Sequence, residues 1–110
     1  MLFIGKGELK QKLVNYINKN KLTKRVKIIN FKKNPFTLLK QADIFILSSK
    51  FEGLPNVLIE AQLNKKFIIS SDCPSGPKEI LMNGNAGYLF KNDNINDLKK
   101  KIKEFLINKN

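Results

Sequence analysis

Apolar positions follow two rhythms along this chain. Unbroken apolar runs recur at Leu2-Phe3-Ile4, within Val26–Phe31, at Asp43–Leu47, Phe67–Ser71 and Ala86–Phe90. Short uninterrupted runs of this kind predict strands buried on both faces, as in a parallel sheet. Between them, apolar residues recur at helical spacing. A helix from Glu8 to about Asn18 would place Leu9, Leu13, Tyr16 and Ile17 on one stripe. Asn34-Pro35 supplies a cap and a first-turn proline for a second helix, with Phe36, Leu38 and Leu39 turned inward. Val57–Leu63 predicts a short buried helix, and Pro77–Leu81 one of one to two turns. Asn94 caps a last helix, Asp97 complements its first turn, and Leu98, Ile102, Phe105 and Leu106 form its stripe. Gly5-Lys6-Gly7 and Asn83-Gly84-Asn85 mark turns. The order is strand–helix five times over. It predicts an α/β fold: a three-layer, Rossmann-like sandwich around a mostly parallel sheet.

Composition narrows what such a domain can do. The 110 residues suit one domain with a modest core, and 42% hydrophobic with 27% charged residues describes a globular chain. No apolar run nears the roughly 20 residues of a membrane span, and Met1-Leu2-Phe3-Ile4 does not read as a signal peptide. Cys73 is the single cysteine and histidine is absent, which excludes an internal disulfide, Ser–His or Cys–His catalysis and a histidine-built zinc site. The net charge is +12, and eleven Lys/Arg against Glu8 alone precede Asp43. Arg25 is the one arginine, and asparagine and isoleucine are over-used alongside lysine, a pattern of base-composition bias in a coding genome. A solvated lysine face is the simpler reading than a nucleic-acid surface. The aromatic residues sit within apolar runs and not on a lysine-lined stacking platform, so nucleic acid ranks last as a partner.

Candidate chemistry gathers in Ser48–Glu60. This stretch is a strand end, a loop broken by Gly53 and Pro55, and a helix start, which in open α/β sheets is where ligands bind. Backbone N–H groups at Gly53, Leu54 and Asn56 would face an anion at the helix N-terminus. Two carboxylates, Glu52 and Glu60, accompany them. One reading is a loop surface charge plus a helix glutamate bonded to nearby backbone. The other is a ligand-binding pair, since a carboxylate in an apolar helix is costly without a partner.

The wording Ser48-Ser49-Lys50-Phe51-Glu52-Gly53-Leu54-Pro55-Asn56-Val57-Leu58-Ile59-Glu60-Ala61 resembles the donor-site signature of retaining nucleotide-sugar glycosyltransferases of the "group one" type (family four), with its Glu-x7-Glu pair. Asp72–Leu81 resembles the stretch after the next strand in that family, and the likeness runs through nearly the whole chain. It implies the carboxyl-terminal, donor-binding half of a two-domain GT-B architecture. It also implies that the half's first strand–helix unit, with an Arg and a Lys for the donor diphosphate, lies upstream of Met1. The strand order is then Val26, Leu2, Asp43, Phe67, Gly87, with a gap or strained pairing between the second and third.

The resemblance gives Glu52 the catalytic-site role of binding donor-sugar hydroxyls. Gly53, Leu54, Pro55 and Asn56 hold sugar and phosphate, and Glu60 takes the ribose hydroxyls. Phe31, Lys32 and Asn34, at another strand mouth, line a base pocket or form a plain connecting loop. The reaction implied is retaining transfer from a UDP-sugar with no cofactor and no metal, to a glycan or lipid-linked acceptor held by a missing amino-terminal domain. It implies no nucleic acid, a cytoplasmic setting, peripheral contact with the inner face of a membrane, and an inactive isolated chain. The competing reading is a non-catalytic Rossmann-like module that binds a nucleotide or a partner chain.

Overall fold

The computed structural model describes residues 1–5, 7–30, 35–51, 56–74 and 76–109, with Phe36 described by its backbone alone. The elements run β1 (Leu2–Ile4), α1 (Lys10–Lys19), β2 (Lys27–Ile29), α2 (Phe36–Gln41), β3 (Ile44–Leu47), α3 (Asn56–Leu63), β4 (Phe67–Ser71), α4 (Pro77–Ile80), a 3-10 turn at Met82–Gly84, β5 (Tyr88–Phe90) and α5 (Ile95–Asn108). The described ladders are all parallel and form two sheets, β1-β2 and β3-β4-β5. The neighbours within each sheet, and the break after β1, are those expected. The chain divides into two compact units, Met1–Pro35 and Phe36–Asn110.

In the first unit Leu2 pairs with Lys27 and Ile4 with Ile29, and α1 makes the crossover. Lys27 N–H donates to the Met1 carbonyl at 3.0 Å and Gly5 N–H to that of Ile29 at 3.1 Å, extending the ladder at both ends. Two expectations change here. β1 is not buried: Leu2, Phe3 and Ile4 are 41%, 39% and 40% exposed, because one strand and one helix cannot cover a strand that has a described ladder on one edge only. The stripe of α1 is also shorter than its sequence suggests. Glu8 and Leu9 form a turn, closed by Lys10 N–H on the Gly7 carbonyl at 3.2 Å, so Leu9 leaves the helical face and is exposed. Ile17 is buried and Leu13 half-buried, and Tyr16, one helical step off that line, faces solvent. β2 stops at Ile29 and begins after Val26, whose N–H is taken by the Leu22 carbonyl at 2.9 Å.

The second unit is a small sandwich around β4, which pairs with β3 on one side and β5 on the other. Residues Ile68 to Ser71 of β4 are fully buried. Alternation sends neighbouring side chains to opposite faces. Ile68 packs with Leu58 and Ala61 of α3 and with Leu81. Phe67 packs against Phe105 of α5, ring centroids 5.0 Å apart, and edge-on against Tyr88 at 4.8 Å. Helices therefore cover both faces of this sheet. Gly87 leads into β5, where a Cβ would sit 2.8 Å from the Ile68 carbonyl oxygen. Only glycine allows that approach.

Three further expectations are corrected in this unit. β3 is half-buried along its length, being the last strand of the described ladder, and it starts at Ile44. α3 is not a buried helix: it packs by one stripe, Leu58 and Ala61, while Val57, Ile59 and Leu63 are exposed. On α5, Leu98, Ile102 and Phe105 turn inward, but Leu106 lies outside the stripe and is exposed. Its cap is as expected, with the Asn94 side chain accepting from Asp97 N–H at 2.9 Å.

Candidate functional site

In the second unit the carboxyl ends of β3, β4 and β5 meet on one side, since all three strands run the same way. Their exits are tied together by short-range hydrogen bonds. The Ser71 hydroxyl, at the buried end of β4, donates to the Ser49 carbonyl at 2.5 Å just past β3. The Asn92 side-chain amide, just past β5, donates to the Lys50 carbonyl at 3.1 Å. Asp72 N–H donates to the Phe90 carbonyl at 2.8 Å, so the exits of β4 and β5 stay paired one step beyond the ladder. An ion pair of Lys50 with Asp93 at 3.5 Å is largely exposed and adds little. The segment entering the signature loop is thus held from two neighbouring strands before the loop begins.

The same side carries two helix starts. Asp97 binds Lys91 N–H through its carboxylate at 2.7 Å while its own N–H is capped by Asn94, which locks the first turn of α5 against the β5 exit. α3 begins at Asn56, which is exposed, and Glu60 follows one turn later, half-buried. The carbonyl of Glu60 accepts both Asn64 N–H at 3.1 Å and the Asn64 side-chain amide at 2.9 Å. Among the described residues no side chain pairs with its carboxylate. Gln62, two residues on, ties α3 to α4 by donating to the Ile80 carbonyl at 3.0 Å.

Of the predicted site residues, Asn56 and Glu60 are on α3, at its first turn and one turn further. Glu52, Gly53, Leu54 and Pro55 lie outside the described residues, as do Phe31, Lys32 and Asn34. The expectation that Glu60 is buried is corrected to half-buried, because α3 turns only its Leu58–Ala61 stripe to the core. Sequence reasoning missed Ser71, Asn92 and Asp93. The signal was available, since Ser71 ends an apolar strand and Asn92-Asp93 follow the last one, both at strand mouths of a predicted parallel sheet.

A family model described as "Glycosyl transferases group 1" matches residues 1–110. This chain belongs to that family. An uncharacterized glycosyltransferase of Methanocaldococcus jannaschii is 47% identical over 81 residues, covering 74% of this chain and 20% of that protein. The N-acetylgalactosamine-N,N'-diacetylbacillosaminyl-diphospho-undecaprenol 4-alpha-N-acetylgalactosaminyltransferase of Campylobacter jejuni is 30% identical over 106 residues, covering 96% of this chain and 29% of that one. Among solved structures, a Staphylococcus aureus TarM variant in complex with Fondaparinux, alpha-GlcNAc-glycerol and UDP superimposes with a TM-score of 0.86 at 28% identity, over 97% of this chain and 22% of the other. The chain therefore spans less than a third of each of these relatives. The fold class expected from the sequence, a Rossmann-like half of a GT-B glycosyltransferase, holds.

Proposed function

We propose that this chain is a donor-binding part of a retaining glycosyltransferase that takes a UDP-sugar. The observation that carries the proposal is the arrangement at α3. Its first turn stands at the carboxyl ends of parallel strands, opened by an exposed Asn56, with Glu60 one turn on and its carboxylate without a described partner. Membership of the group 1 family supports it, and UDP in the 28% identical TarM complex supports the uridine nucleotide.

In this reading the N–H groups at the start of α3, with those of Gly53 and Leu54, hold the donor phosphate, where the helix dipole favours negative charge. Glu60 accepts from the two ribose hydroxyls, for which a carboxylate is the matching acceptor. Glu52 accepts from the donor-sugar hydroxyls. Phe31, Lys32 and Asn34 contribute to the base pocket. Transfer with retention passes through a cationic, oxocarbenium-like sugar as the diphosphate leaves. The protein's part is fixed dipoles and donors aimed at the leaving phosphate, with no metal required. The ties from Ser71 and Asn92 hold Ser49 and Lys50, on the approach to the signature segment. The acceptor is a glycan or lipid-linked sugar of the kind named for the C. jejuni relative, held by a further amino-terminal domain, so the chain alone turns over no donor. The setting proposed is cytoplasmic.

Calorimetric titration of the 110-residue chain with UDP, ADP and GDP, with and without EDTA, tests this. UDP binding tighter than ADP or GDP and indifferent to EDTA is expected. Equal affinity for all three, or UDP binding lost in EDTA, would refute the uridine or the metal-free part respectively.

A further inference from the structure

Asn83 is the one asparagine in the chain that glycine follows. The pair lies in the 3-10 turn at Met82–Gly84, where the Asn83 side chain is exposed and a Cβ on Gly84 would meet nothing within 4 Å. The turn hangs from one buried residue. The carbonyl of Leu81 accepts Gly84 N–H at 3.0 Å and Ala86 N–H at 2.9 Å, and Asn85 N–H donates to the Met82 carbonyl at 3.2 Å. Leu81 itself is fully buried, in one cluster with Leu58, Ala61 and Ile68. To make this turn the backbone is left-handed at three residues in succession, with φ of 52° at Met82, 57° at Asn83 and 97° at Gly84. A side chain as long as that of Met82 seldom accepts this region, and the strain favours opening of the turn.

We propose that Asn83–Gly84 is a self-modification site, at which opening of the turn lets Asn83 convert to aspartate and isoaspartate. The Gly84 backbone nitrogen attacks the carbonyl carbon of the Asn83 side chain and bonds to it. The side-chain nitrogen leaves as ammonia, carrying the proton that Gly84 N–H gives up. Water then adds to one of the two carbonyls of the five-membered imide. Ring opening on one side leaves aspartate; on the other it leaves isoaspartate, whose main chain runs through the former side chain. Glycine permits the attack because no side chain shields its nitrogen. The closed turn forbids it. At a ψ of 30° the Gly84 nitrogen stands on the far side of the Cα–C bond from the Asn83 Cβ, and its N–H is held by Leu81. Reaction therefore requires a rotation at Asn83 that parts Gly84 from Leu81, which is a local opening. Isoaspartate adds a carbon to the main chain between Met82 and Gly84, so the Gly84–Leu81 bond loses its register and the change reaches the core through Leu81. Aspartate keeps the backbone length and, like asparagine, tolerates the left-handed region. The inference does not depend on the nucleotide reading, since it rests on the Met82–Gly84 turn alone.

Incubation of the 110-residue chain in buffer and in urea, followed by peptide mapping and isoaspartyl methyltransferase labelling, reads the reaction directly. In urea Asn83 should react before every other asparagine. In the folded chain it should react at least about ten-fold more slowly, since only opened turns are competent. As urea is added below the unfolding transition, its rate should rise in step with hydrogen exchange at the Gly84 amide. Gly87→Ala, whose methyl presses on Leu81, should speed the reaction several-fold. Asn83→Gln, with a side chain one carbon too long for the five-membered ring, should abolish labelling at this position. Asn83→Asp should melt with the wild type, while the isoaspartyl form, separated by cation exchange, should melt lower. Equal rates in buffer and urea would overturn the proposal, as would another asparagine reacting first. A rate that ignores Gly84 exchange, or an isoaspartyl form that melts with the wild type, would overturn it as well.

Discussion

At the scale of single residues, the sandwich of the second unit depends on places where one atom more or fewer decides the packing. Gly87 is one of them. An alanine methyl there would press on the Ile68 carbonyl oxygen at 2.8 Å and on the Leu81 side chain at 3.3 Å, and Ile68 belongs to the central strand and is fully buried. Backbone cannot retreat as a flexible side chain can. Gly87→Ala should therefore lower unfolding free energy by about 1–3 kcal/mol, the usual cost of overpacking. Gly7→Ala is the control, since its Cβ would meet nothing within 4 Å, and it should leave stability unchanged or slightly raised. Urea denaturation of both variants measures the difference, and equal midpoints would contradict the account. Ser71 is a second such place: buried at the mouth, its hydroxyl is spent on the Ser49 carbonyl. The close approach at Gly87 was not legible in the sequence, because a glycine before a strand has the same appearance whether it packs closely or faces water; Ser71 was legible as a strand-mouth residue, but not as the donor to the Ser49 carbonyl. Glu60 was legible as a residue needing an explanation, since it interrupts an apolar helix.

Elements were legible where a local signal and the tertiary outcome agree. α5 is the clearest case: Asn94, Asp97 and the inward line Leu98, Ile102 and Phe105 all have the roles their spacing gives them. Asn94→Ala removes the acceptor for Asp97 N–H and should cost about 0.5–2 kcal/mol, whereas Asn94→Asp should keep most of that stability. Thermal melts of the two variants would separate them, and equal loss in both would mean that the cap is unimportant. Disagreement arose where a neighbour's position decides. Leu9 lies at helical spacing from Leu13, yet the turn at Glu8-Leu9 removes it from the helix. Leu2–Ile4 and Val57–Leu63 are apolar enough for burial, yet strand burial needs partners on both edges and a short helix hides only one stripe. The spacing of Leu106 from Ile102 suits the core, but the residue lies at the edge of the stripe and is exposed.

For the whole molecule, the repeating strand–helix order was enough to give a parallel α/β fold, and the wording from Ser48 to Glu60 gave the family. The order within each sheet followed from that likeness. The break between the Leu2 and Asp43 strands followed from it too; hydrophobic pattern alone could not give that break, or the division into two compact units, because sheet closure depends on which edges meet and not on any run of residues. The central claim is that α3 presents Glu60 to the ribose of a UDP-sugar, and Glu60→Gln tests it. The change keeps the shape but replaces a charged acceptor pair with one neutral acceptor and a donor. Hydrogen bonds to a charged group contribute about 1.5–3 kcal/mol, so UDP affinity should fall by roughly ten-fold or more. Stability without ligand should stay the same or rise, since a half-buried carboxylate with no described partner has been neutralised. Calorimetric titration of UDP into wild type and Glu60→Gln, paired with thermal melts of both without ligand, gives the two numbers. A ten-fold loss of affinity at unchanged melting temperature is the predicted result; unchanged UDP affinity with a large drop in melting temperature would contradict the claim and make Glu60 a structural residue.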